Sequence, residues 1–262
     1  MFGKIITSFL FLALIFTAHS SAQTIKKQPF QIGETLVYEG KFSRIIKGVA
    51  IADLSFSVTK ADDKNNFLIK SEVKSKGSVL RLFRYSFLQK IDSTVDAEDF
   101  RILKTVKRDV QKERVRDSEA VFDYRQNRVT YIETDPNEPA RPPRRIASEI
   151  GGKMQDMVSG IYALRLLPLA VGASFEINVS DSGLIYKIPV RVAAREQQKS
   201  IFGRVWCFRV VPEVFGTNRL IEKEGSITIW ITDDARRLPV RAQINSDIGR
   251  VEVKLKSATG LK

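Results

Sequence analysis

Two adjacent carboxylates, Asp233 and Asp234, are the residues of this chain best suited to acid–base or metal chemistry. A pair of acids can share a proton, activate a water or hold a divalent cation. They fall between two strand-like runs, Leu220–Thr232 and Leu238–Ile244, where an acidic turn is the ordinary explanation. Nothing around them completes a catalytic set. Nucleophilic triads and most zinc sites depend on histidine. The one histidine, His19, lies at the end of an N-terminal apolar segment. Cys207 is the one cysteine, so no intramolecular disulfide can form, and Val205-Trp206-Cys207-Phe208 predicts a buried, inert thiol in an apolar strand. An intermolecular disulfide is the alternative. Neither a Walker motif nor a G-x-G-x-x-G opening a helix is present. The expectation is therefore a protein with no catalytic residue, no cofactor and no metal site.

Other polar residues sit where they could meet a ligand. Asp156 and Arg165 occupy opposite ends of the apolar run Met154–Leu169, MQDMVSGIYALRLLPL. Met154, Met157, Val158, Ile161, Leu164 and Leu167 recur at helical spacing and Pro168 ends the run, which predicts a helix over about 154–167. Asp156 suits the positive end of such a helix and Arg165 the negative end. Arg165 has two further readings: pairing with a carboxylate on a neighbouring sheet, or meeting the anionic group of a ligand in a cavity beneath the helix. With Tyr162 and Trp230, these residues make the candidate ligand-binding set: Arg165, Tyr162, Asp156 and Trp230.

The elements that must position them are almost all strands. Short runs of alternating apolar residues, such as Leu36/Tyr38, Ala50–Val58 and Val251/Val253/Leu255, are spaced as in an antiparallel meander. No βαβ alternation appears, which argues against a parallel nucleotide-binding sheet. Pro189, inside the run Tyr186–Val192, predicts an edge or a bulge. Asp62–Asn66 reads as a polar turn. Asp135–Gly152, DPNEPARPPRRIASEIGG, reads as an irregular loop with a basic cluster at Arg141, Arg144 and Arg145. The helix thus divides about seven strands from about five, and one apolar helix among strands must be covered by them. The expected fold is mainly β: one large, curved, open antiparallel sheet of about 11–12 strands, half-barrel-like, wrapped around a single central helix.

Residues 1–22 read as a cleaved secretory signal peptide: Lys4, an apolar run from Ile5 to Phe16, then Ser20-Ser21-Ala22. Residues 23–262 form the expected single β-rich domain, opened by a polar leader from Gln23 to Pro29, and the expected location is the periplasm. Removing Lys4 leaves 42 of the 43 basic residues against 30 acidic ones, a net +12. Export makes nucleic acid an unsuitable partner for that charge and points to lipid head groups or other anionic envelope components. Solvated strand faces would carry the same charge without any ligand.

Four ordered motifs resemble a known family: Phe30-x-Ile32-Gly33-Glu34-x-Leu36-x-Tyr38; Asp156 to Arg165 with Leu167-Pro168-Leu169 and Gly172; Arg195-Glu196 with Gly203; and Trp230-Ile231-Thr232-Asp233-Asp234 with Arg237-Leu238-Pro239-Val240. From about Phe30 to Lys256 the chain resembles the domain-of-unknown-function 3108 family of exported bacterial proteins. The resemblance implies an export signal and one β-rich domain. It transfers no catalytic residue. The family's architecture is similar to that of periplasmic lipoprotein-carrier and insertase proteins (LolA/LolB-like), in which an open sheet covers helices and encloses an apolar cavity.

Three functions follow as expectations. The first is a non-catalytic carrier for a lipid, a lipoprotein acyl chain or another anionic amphipath, and the second is a structural envelope protein acting through protein contacts. The third is a hydrolase using Asp233 and Asp234.

Overall fold

The structure is a computed structural model that describes residues 28–44, 48–61, 66–77, 80 and 86–262. The expected signal peptide over 1–22, most of the leader and most of the Asp62–Asn66 turn lie outside the described residues. Alternating burial is the local cause of each strand: in β1 (Thr35–Ser43), Leu36, Tyr38 and Gly40 point inward while their neighbours are half exposed. The meander continues through β2 (Val49–Lys60), β3 (Asn66–Ser75), β4 (Phe87–Asp96), β5 (Ile102–Gln111), β6 (Arg114–Asp123), β7 (Arg128–Thr134) and β8 (Arg144–Glu149). A two-residue strand β9 (Met154–Gln155) and the helix α1 (Met157–Leu166) follow. The chain then completes β10 (Ser174–Asp181), β11 (Leu184–Ser200), β12 (Gly203–Pro212), β13 (Gly225–Thr232), β14 (Pro239–Ser246) and β15 (Gly249–Thr259).

All fifteen strands among the described residues belong to one sheet, ordered β8-β7-β6-β5-β4-β3-β2-β1-β15-β14-β13-β12-β11-β10-β9. Every neighbouring pair is antiparallel except β9 with β10. First and last strands pair with each other, Thr35 opposite Thr259, so the open ends are β8 and β9, which are consecutive in the chain. The sheet must therefore curl until those ends approach. The β10–β11 turn closes on β7 and β8: a Cβ on Gly183, whose φ is +80°, would lie 2.6 Å from the Tyr131 side chain and 3.0 Å from that of Ile146. Only glycine tolerates both that dihedral and that approach.

Strand count and loop differ from the sequence expectation. The expected loop 135–152 contains β8, whose exposed Arg144 and Arg145 blunt a sheet edge. Its Arg and Pro content masked a strand paired on one side alone. Met154 and Gln155, expected to begin the helix, pair with Asn178 and Val179 instead. Asp156 is the reason. It sits in extended backbone (φ −99°, ψ −175°) and caps the helix, so no helical turn can precede it. At the other end Leu167 is extended, as a residue before proline prefers. Pro189 lies in an internal strand rather than an edge or a bulge. Its carbonyl accepts from Glu213 N just beyond the last β11–β12 pair, Val190 with Pro212, and its missing N–H cannot return the bond, so the proline marks the end of that ladder.

Candidate functional site

Helix α1 crosses the interior of the curled sheet and divides it into two regions. On one side Val158 and Tyr162 pack with Phe30, Ile69, Ile91, Ile102 and Val129 in a filled core. On the other, Leu164 joins residues of β10 to β13, and the packing is incomplete. The buried stripe of the helix is Val158, Tyr162 and Arg165 with Ser159 and Leu164. The predicted stripe is displaced: Met157 is 43% exposed and Ile161 half-buried.

Polar anchors hold the helix at both ends. Asp156 Oδ1 accepts from Val158 N and Ser159 N, and Ser159 Oγ accepts from Asp156 N in return. Asp156 Oδ2 accepts from Ser93 Oγ (2.5 Å) on β4 and Thr105 Oγ1 (2.7 Å) on β5. At the other end Arg165 is wholly buried against Glu34: Nη1 donates to Oε1 (2.5 Å) and Nη2 to Oε2 (2.8 Å). Nη2 also donates to the carbonyls of Pro29 and Arg236. The guanidinium lies 5.1 Å from the centroids of both Phe30 and Tyr162, whose rings pack edge to face. The segment 28–34 thereby plugs one end of the curled sheet. Burial, then the nearby Glu34 carboxylate, push the Tyr162 phenol well above its usual range. Burial likewise raises the Tyr38 phenol.

Beside the helix lies a cavity of about 250 Å³. Gly160, Ile161 and Leu164 line it from α1, Leu36 and Phe56 from β1 and β2, and Ile188, Ile229 and Ala242 from β11, β13 and β14. It extends toward the end opposite the plug, where Val214, Leu220, Ile227 and Ile244 border it. The volume exceeds the ~150 Å³ of an apolar cavity that takes up benzene and approaches the ~300 Å³ lower end for ligand clefts. Charges in the lining are already committed: Asp156 and Arg165 as above, and Arg241 to Gln198 (3.0 Å) and Glu252 (2.6 Å). The hollow can take an apolar group, and its arginines already face carboxylates, with the Nε–H of Arg165 and of Arg241 left without a partner.

Of the four candidate ligand residues, Arg165, Tyr162 and Asp156 border this cavity and Trp230 does not. Trp230 Nε1 donates to Glu196 Oε1 (2.5 Å), and the Arg241 guanidinium lies 4.5 Å from its ring. Of the three readings of Arg165, the geometry satisfies pairing with a carboxylate, Glu34. That residue was visible in the sequence as part of a strand-opening motif. Its role was not, because its partner lies 131 residues away. Asp233 and Asp234 occupy the β13–β14 turn. Asp233 meets Arg195 (2.6 Å) and Arg237 (3.6 Å), and Asp234 meets Arg236 (2.6 Å) and Thr232 (2.8 Å). Burial alone would raise Asp234, but hydrogen bonds from Arg236 and Thr232 outweigh it and hold the carboxyl below its usual range. Among the described residues, no group of three or more His, Cys, Asp or Glu side chains is placed to hold a metal ion. Cys207 is buried, and that burial, followed by Asp234, Asp233 and Glu196, pushes its thiol up to about 12.

A sheet curled around one helix, with an apolar hollow between them, defines the class of protein. Residues 37–256 match the model of the protein family of unknown function DUF3108, and the chain belongs to that family. No curated protein matches the sequence at a significant level. Among solved structures, a β-barrel-like protein of the domain of unknown function DUF1849 from Brucella abortus is similar over 87% of this chain and 98% of its own. The TM-score is 0.57 at 8% identity, a likeness of fold. A hypothetical protein from Chlamydia trachomatis aligns over 88% of this chain and 89% of its own, with TM-score 0.34 and 9% identity. A protein from Bacteroides fragilis described as exported, with a YmcC-like fold, aligns over 88% and 98%, with TM-score 0.32 and 10% identity.

Proposed function

We propose that the protein is a non-catalytic, exported carrier that shelters one apolar chain of an amphipathic envelope molecule, such as a lipid or a lipoprotein acyl group, in the cavity beside α1. The apolar cavity of about 250 Å³ is the observation that carries this reading. The committed state of Arg165 and Arg241 favours an apolar guest whose polar or anionic head stays outside. The signal-like residues 1–22 support a periplasmic location, with a single domain from residue 23 onward. An open sheet over an apolar hollow is also what the resemblance to periplasmic lipoprotein carriers implies, here with the helix α1 beside the hollow.

Native mass spectrometry of the protein purified from its envelope, together with titration by a fluorescent fatty acid, tests the reading. One chain-bearing molecule per protein is expected. Ala242→Phe, which places a ring into the hollow, abolishes uptake while the circular-dichroism spectrum is retained. Recovery of no ligand together with no uptake of the probe overturns the carrier reading and leaves an envelope scaffold acting through protein contacts.

A further inference from the structure

Strands β11 and β12 run beyond their neighbours. The β10 ladder leaves β11 at Arg191, and the β13 ladder begins on β12 at Cys207, so roughly residues 193–206 extend past those ladders as a two-stranded ribbon, one face of which is tied to Trp230 and Arg241 through Glu196 and Gln198. Ser200 pairs with Gly203, which leaves Ile201 and Phe202 as a two-residue tip. Gly203, at φ +81°, supplies the left-handed residue of this turn, so positions 201 and 202 are free to carry apolar side chains. Here Ile201 is 43% exposed, and Phe202 is folded under the Arg236 guanidinium at 4.4 Å.

Residues directly opposite on paired strands share a face. Lys199 faces Arg204 and Gln197 faces Trp206, so Arg195, Gln197, Lys199, Arg204 and Trp206 share one exposed face. The other face, with Val205 and Cys207, packs inward. Lys199 and Arg204 make no ion pair among the described residues, and like charges placed directly opposite destabilise a hairpin. Trp206 is 46% exposed and stacks at 4.4 Å on Arg195, which is held by Asp233.

We propose that this ribbon is a docking element for a bilayer rich in anionic phospholipid. Ile201 enters the acyl boundary, Trp206 lies at head-group level and Lys199 and Arg204 meet lipid phosphates. Charge complementarity and the exposed aromatic and aliphatic side chains decide for a bilayer. A projecting tip with an aliphatic point, an aromatic flank and two uncompensated cations presents no groove for a peptide, whereas aromatic and basic side chains together suit a membrane interface. The ribbon stands at the plugged end, so docking leaves the opposite end of the cavity directed away from the membrane.

The test is co-sedimentation of the purified whole protein with vesicles of phosphatidylcholine alone or mixed with phosphatidylglycerol, read also by tryptophan emission. Trp206 and the buried Trp230 are the two tryptophans of the chain, so a blue shift lost in Trp206→Phe reports the ribbon. Expected are binding to the anionic vesicles, weakening with salt, and a loss of more than tenfold in Lys199→Glu/Arg204→Glu, at about fivefold or more per charge. Lys104→Glu/Lys70→Glu, the same charge change on distant strands, leaves binding within about twofold. Equal loss in both double variants indicates diffuse attraction by the net charge and overturns the proposal. Binding unchanged in Lys199→Glu/Arg204→Glu, or no binding at low salt, overturns it as well. Circular dichroism confirms that each variant is folded.

Discussion

Replacing Arg165 by methionine is the most severe single substitution the structure foresees at the surface of the cavity. The Arg165 and Glu34 side chains are 0% and 1% exposed, so water cannot replace either partner. Methionine keeps much of the apolar stem but strands the Glu34 carboxylate and the carbonyls of Pro29 and Arg236. Breaking a buried ion pair from one side costs about 3–5 kcal/mol. For a domain of this size that lowers the melting temperature by roughly 6–20 °C. Glu34→Gln costs less, about 2–3 kcal/mol, because its amide oxygen still accepts one of the two hydrogen bonds. The double variant loses less than the two single losses combined, by at least ~1 kcal/mol, since each change removes the group that the other strands. Urea unfolding followed by far-ultraviolet circular dichroism, with the slope m checked for constancy, measures all three. A loss under ~1 kcal/mol for Arg165→Met, or additivity within ~0.5 kcal/mol, would refute the assignment of this pair as the anchor of the helix end.

Further outcomes follow from the same geometry. Asp156→Ala removes a helix cap and strands the hydroxyls of Ser93 and Thr105, for a loss of about 2–4 kcal/mol in the same unfolding assay. Cys207, its thiol raised to about 12 by burial, stays unmodified by a disulfide reagent at pH 8 in the native protein and reacts on unfolding. Stability falls in acid. Glu39 is held below its usual range chiefly by the hydrogen bond from Lys76. Asp234 and Glu252 are also held low, as charged partners outweigh burial. A depressed folded pKa contributes stability above the unfolded value and loses it as pH falls through the folded value, so melting temperatures decline below about pH 4.5. A flat profile from pH 6 to 3 would contradict this.

Period-two alternation made the meander legible because each strand has one buried face, as in β1 and β7. It failed at β8, where every residue is exposed or half-exposed and no apolar face exists to read. The helix was legible as an apolar run, but its start was displaced by the cap at Asp156, the third residue of the run, and its buried stripe includes Ser159 and Arg165. The polarity of that stripe made periodicity point to Met157 and Ile161, whereas Tyr162 and Arg165 face the core. The cavity was an expectation of the family resemblance rather than of any residue pattern. Emptiness arises from how β1, β2 and β10–β15 curl, which no local spacing encodes. The projecting ribbon was partly visible as the motif Arg195-Glu196 with Gly203, yet its facing cations emerge only from register.

A helix beside a hollow lacks the dispersion contacts that ordinarily fix a core helix on all sides. Asp156 and Arg165 compensate by tying its two ends to β4, β5 and the Glu34 turn, which leaves the middle free to border empty space. Gly160 stands at that middle and lines the cavity. Its backbone is helical, and a Cβ there would meet nothing nearer than Gln155 and Val179 at 3.9 Å, so alanine fits without strain. Alanine in a helix is favoured over glycine by about 0.5–1 kcal/mol. The sequence therefore forgoes stability at a position where an added methyl group would narrow the hollow. Gly160→Ala is expected to raise unfolding stability by that amount and to weaken fatty-acid uptake, with Gly160→Leu blocking it. Unchanged uptake in both variants, with the fold intact, would show that the glycine keeps no space for a guest.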